Sequence, residues 1–92
     1  MPTIVTSAPR EDSSGFTFDV RVEDGGNESR HTVTLARRDY ERLATSGEAP
    51  GAFVERCFGF LLEREPKESI LSRFDVSVIA RYFPEFERTI RR

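Results

Sequence analysis

Hydrophobic and polar residues alternate from Phe16 to Glu23, with Phe16, Phe18, Val20 and Val22 on one side and Thr17, Asp19, Arg21 and Glu23 on the other. A period of two over such a run predicts a half-buried β-strand. The alternation returns from Arg30 to Leu35, where His31, Val33 and Leu35 share the apolar side and Arg30, Thr32 and Thr34 the polar one. Asp24-Gly25-Gly26-Asn27 lies between the two runs and tolerates positive φ, so the pattern predicts a hairpin with one apolar face. A lone hairpin is marginal in water, which requires helices over that face.

Downstream the period becomes helical. Ala36, Tyr40, Leu43 and Ala44 predict a short first helix, with Gly47 placed for a left-handed C-terminal cap. Pro50 opens a second helix in which Phe53, Val54, Cys57, Phe58, Phe60, Leu61 and Leu62 spread over about half the circumference at about 100° per residue. An arc that wide marks a central helix buried on more than one side. Pro66 ends it and begins a further turn, whose apolar stripe is Ile70, Leu71 and Phe74. Asp75 is placed to cap a segment in which Val76, Ile79, Ala80 and Phe83 recur at i, i+3, i+4 and i+7. Pro84 starts a last helix, acidic at its beginning through Glu85 and Glu87 and basic near its end through Arg88, Arg91 and Arg92, as the helix dipole favours.

Residues 1–15 are polar and broken by Pro2, Pro9 and Ser13-Ser14-Gly15, and read as a flexible or irregular N-terminal arm in which Ile4-Val5-Thr6 can add a third, edge strand. Residues 16–92 read as one domain. The expected fold is α+β, an antiparallel hairpin packed against a central helix and three shorter helices.

Composition narrows the function classes. The 14 basic and 16 acidic residues leave a net charge of −2, so no bulk field steers nucleic acid or anionic membrane. Cys57 is the single cysteine, which excludes an internal disulfide. No apolar stretch reaches the ~20 residues of a membrane span, and Met1-Pro-Thr-Ile-Val-Thr has neither the basic nor the apolar part of a secretory signal, so the expected location is cytoplasmic.

Nucleophilic catalysis needs a nucleophile, a base and an orienting group. The single cysteine, Cys57, and the single histidine, His31, could in principle make such a pair, but both lie on inward faces of predicted elements. One Cys and one His fall short of a zinc site, and Gly25-Gly26 lacks the Gly, Lys and Ser or Thr of a phosphate loop. No catalytic, cofactor-binding or metal-ligating residue is therefore assigned, and the expected class is a non-enzyme.

Two resemblances add to this reading. The string from Phe58 to Leu71, FGFLLEREPKESIL, followed by Phe74-Asp75 and by Ile79-Ala80-Arg81-Tyr82-Phe83-Pro84-Glu85, resembles a family of small uncharacterised bacterial proteins; it implies no activity or site residues. The order of Thr32-Val33-Thr34-Leu35, a helix with Tyr40 and Leu43, Gly47, and the helix from Phe53 to Leu62 is similar to ribbon-helix-helix transcription regulators. That resemblance implies a strand paired with its twin in a dimer, with Arg30, Thr32 and Thr34 entering the DNA major groove.

The preferred expectation is a small protein-interaction or regulatory module, homodimeric or bound to another protein, with the ribbon-helix-helix regulator as the alternative. The wide arc of the central helix and an uncovered strand edge both invite a partner. Phe53, Val54, Phe58 and Leu62 are the candidate interface. The arc is instead covered within one chain if Ile79, Phe83, Phe86 and Ile90 fold back over it.

Overall fold

In a computed structural model that describes residues 2–91, the chain runs β1 (Thr3–Thr6), β2 (Arg10–Glu11), β3 (Gly15–Asp24), β4 (Asn27–Ala36), α1 (Arg37–Leu43), α2 (Pro50–Leu62), β5 (Arg73–Asp75), α3 (Ile79–Tyr82) and α4 (Phe86–Ile90). Met1 and Arg92 lie outside the described residues. The fold is α+β, as the hydrophobic pattern predicts. Strands β3 and β4 form the hairpin, with Asp24 paired to Asn27 and only Gly25-Gly26 between them. Both glycines have positive φ, 61° and 85°, which a two-residue type I′ turn demands.

The N-terminal segment is more ordered than an irregular arm. β1 forms the expected edge strand, antiparallel to β3 from Thr3–Glu23 to Thr6–Val20. β2 continues along the same edge, pairing Arg10 with Thr17 and Glu11 with Phe16. The corner between β2 and β3 is tied by Asp12, whose Oδ1 accepts from the backbone N–H groups of Ser14 (2.8 Å) and Gly15 (3.0 Å).

The segment after Pro66 departs further from expectation. It makes one tight turn at Lys67–Ser69 and then becomes β5, which adds to β4 in parallel, Val33 opposite Phe74. The sheet order is therefore β1-β3-β4-β5, with β4 paired to β3 along its length and to β5 over Thr32–Thr34. Ile70 and Phe74 face the core, whereas Leu71, grouped with them in the expected helical stripe, is 47% exposed. α1 ends at Leu43 with an extended Ala44, so Gly47, at φ 79°, serves the turn before α2 rather than a helix cap.

One sheet face is covered. Phe18, Val20, Val22, Val33 and Leu35 pack under α2, whose Phe53, Val54, Cys57 and Phe58 are buried. Phe53, Val54 and Phe58 thus belong to the interior of a single chain and offer no interface; of the candidate interface residues, only Leu62 reaches the surface, half-buried. The physical reason is the C-terminal segment: Ile79, Phe86 and Ile90 fold back and bury the spare arc, with Phe86 edge-on to Phe60 at 5.0 Å. Arg56 clasps this return, donating to the Ile90 carbonyl at 2.7 Å and to both carboxylate oxygens of Glu48.

Candidate functional site

The two reactive side chains are committed to structure. Cys57 is buried on α2, and removal from water pushes its thiol far above the ordinary thiol range, which suppresses the nucleophilic thiolate. His31 is buried against Phe58, ring centroids 5.3 Å apart. Its Nδ1 lies 2.7 Å from the Leu71 carbonyl, which can only accept, so Nδ1 carries the proton and Nε2 takes the Ser29 hydroxyl at 2.9 Å. Neither ring nitrogen is left to act on a substrate. No group of His, Cys, Asp and Glu able to hold a metal occurs among the described residues.

The solvent face of the sheet carries Arg30, Thr32 and Thr34, as the alternation implies. They do not form a basic strip. Arg30 pairs with Glu28 at 2.5 Å and Arg10 with Asp19 at 2.8 Å, while Arg21 lies 2.6 Å from Glu23. Thr34 donates to Asp75 at 2.5 Å. A groove-reading ribbon needs unmatched cations to reach phosphate, and pairing of β4 with its twin needs a free edge. Here Arg10, Arg21 and Arg30 face carboxylates, and β4 is paired along its length with β3 and over Thr32–Thr34 with β5.

A different place collects unsatisfied apolar surface. After α2, Pro66 and the Lys67–Ser69 turn bring Ile70 inward, and the bond from His31 fixes the carbonyl of Leu71 while its side chain projects. β5 then aims Phe74 at Phe58, centroids 5.9 Å apart. Asp75 ends β5 and caps the next turn, accepting from the Ser77 N–H at 3.0 Å, and so starts the path into α3. Phe83 is held edge-on to Phe60 at 5.9 Å, and Arg64 lies 3.6 Å above the same Phe60 ring while pairing with Glu85. These contacts build the walls of an open groove of about 150 Å³, floored by Leu61, Phe74 and Ile79, rimmed by Leu71 and Tyr82, with Glu65 and Ser69 as its polar members.

Tyr82 is 66% exposed, the largest exposed aromatic of the described chain. The hydrophobic pattern gave one signal for it: Tyr82 falls outside the set Val76, Ile79, Ala80 and Phe83, so a helix burying that set leaves Tyr82 outside. Leu71 had no such signal. Apart from Glu65 and Ser69 the groove is lined by apolar and aromatic side chains, so the contact it chiefly offers is apolar. An apolar space of about 150 Å³ holds a benzene-sized group.

No protein-family model, curated protein or solved structure matches this chain.

Proposed function

We propose that this chain is a non-catalytic protein-interaction module that takes one apolar anchor, an aromatic or branched aliphatic side chain of a partner protein, into the groove between β5 and α3. The observation that carries this reading is the pair Leu71 and Tyr82. A chain that buries Phe53, Phe58, Phe74 and Phe86 leaves these two side chains exposed, and both line one apolar depression. Interfaces draw most of their energy from a few large side chains seated in such pockets, with aromatic residues enriched around them. The size of the groove fits a single side chain and is small for a drug-sized ligand, whose pockets run to about 300–1,000 Å³.

Panning a random-peptide library against the folded chain tests the reading. The expected result is an enriched consensus built on one aromatic or branched aliphatic position, which fails to bind a Tyr82→Glu variant of unchanged circular dichroism. A selection that enriches nothing, or peptides that bind Tyr82→Glu equally well, would overturn it.

A further inference from the structure

We propose that the partner's apolar anchor is accompanied by a neighbouring Lys or Arg, which pairs with Glu65 in the groove. The pairing rests on the groove's role as a docking site for that anchor.

The carboxylates of the chain divide by burial. Exposed ones need no partner, because water solvates them. Those that the fold buries or half-buries are matched: Glu23 lies 2.6 Å from Arg21, Asp39 3.2 Å from Arg42, Glu48 2.6 Å from Arg56, Glu85 3.1 Å from Arg64 and Glu87 2.8 Å from Arg42. Asp75 accepts from the Thr34 hydroxyl and the Ser77 N–H. Glu65 is the exception. It is half-buried and lines the groove, yet among the described residues its side chain has no ion pair and no hydrogen bond.

The cations closest to it in sequence are engaged elsewhere. Arg64 lies over the Phe60 ring, donates to the Phe60 carbonyl at 3.1 Å and pairs with Glu85. Lys67 is buried and pairs with Glu68 at 2.6 Å. Arg73 and Arg81, on the elements that flank the groove, are exposed and form no ion pair with Glu65. The carboxylate is also held in place. The Glu65 N–H donates to the Leu61 carbonyl at 2.9 Å, and Pro66 narrows the backbone choices of the residue before it.

That charge selects the occupant. An apolar side chain that fills a space of about 150 Å³ removes water from the Glu65 carboxylate in its wall. A desolvated charge without a partner is costly, so a peptide that brings the anchor alone binds against this penalty. One that brings a cation beside the anchor turns the same carboxylate into a paired one. Discrimination of this kind comes from the unmatched charge that a wrong partner leaves behind. The groove has room for one side chain, so the cation comes from a residue next to the anchor.

Panning the random-peptide library in parallel against wild type, Glu65→Gln and Glu65→Lys tests the inference. Glu65 has no partner among the described residues, so both variants should keep the circular dichroism and thermal stability of wild type. Wild type should enrich an apolar anchor beside Lys or Arg, Glu65→Gln the anchor with no charge preference, and Glu65→Lys the anchor beside Asp or Glu. Replacing the basic residue of a selected peptide with Ala should weaken binding to wild type about fivefold and leave binding to Glu65→Gln unchanged. Anchors without a basic neighbour, or a basic neighbour that persists against Glu65→Gln, would overturn this inference and leave the apolar docking site standing. A selection with no apolar anchor would overturn both.

Discussion

His31 and Leu71 stand 40 residues apart in sequence and are joined by a 2.7 Å hydrogen bond from the imidazole Nδ1 to the main-chain carbonyl. The bond fastens the turn that leads into β5 to the inner strand β4, and so sets one rim of the groove from a residue buried beneath it.

His31→Leu removes that bond and the one from Ser29 while keeping an apolar side chain in the core. Each net hydrogen bond is worth about 0.5–1.5 kcal/mol, so the variant should lose roughly 1–3 kcal/mol in urea unfolding. Amide exchange at Leu71 and Ser72 should rise more than exchange in the β3–β4 hairpin. An unchanged midpoint would show that the tie is dispensable.

Gly15 is the most sterically constrained position of the hairpin. Its φ is 155°, and a Cβ there would lie 2.2 Å from the Leu35 carbonyl oxygen and 2.9 Å from the Arg37 nitrogen, both main-chain atoms that cannot turn aside. Backbone strain of about 1–3 kcal/mol adds to overpacking of similar size, so Gly15→Ala should cost at least about 2 kcal/mol. By contrast Gly59→Ala, in open space, should leave thermal unfolding of the folded chain equal or slightly improved. A Gly15→Ala protein as stable as wild type would contradict the corner geometry.

Acid should weaken the fold through Glu48. The Arg56 guanidinium, bound to it at 2.6 and 2.8 Å, and the Thr45 N–H hold its carboxyl below the usual range, against the opposing effect of burial. Because the folded form resists protonation more than the unfolded form, this contribution is complete above the ordinary glutamate value of about 4.3 and is lost as pH falls through the depressed one. Asp75, held down by Ser77 and Thr34 despite desolvation, acts in the same direction. The urea midpoint should therefore fall below about pH 4.5, and the fall should be shallower in Glu48→Gln, which is already weakened at neutral pH. Equal acid sensitivity in the two proteins would refute the assignment.

The hairpin and α2 were legible because their signals are local: two alternating runs, a Gly-Gly turn, Pro50 and a dense apolar arc. β5 was not. Arg73-Phe74-Asp75 is too short to display a period, and Ile70, Leu71 and Phe74, spaced i, i+1 and i+4, imitate a helical stripe; pairing with β4 decides the conformation, and that contact is long-range. β2 is hidden for the same reason, since Arg10-Glu11 is a strand only because β3 lies beside it. The apolar arc of α2 is wider than one sheet face, as its sequence implies, but whether the chain or a partner covers it depends on where Phe86 and Ile90 return. The groove follows from that return and from β5, so only Tyr82, off its helical stripe, announced it.

The central claim is that a partner's apolar side chain enters the groove between Leu71 and Tyr82, and an NMR titration with a peptide selected against the folded chain measures it most directly. The account predicts that amide and methyl shifts will concentrate at Leu61, Leu71, Phe74, Ile79 and Tyr82, and that Tyr82→Glu will weaken binding at least tenfold, about 1.4 kcal/mol. Shifts confined to the outer sheet face around Arg30, Thr32 and Thr34, with affinity untouched by Tyr82→Glu, would contradict it.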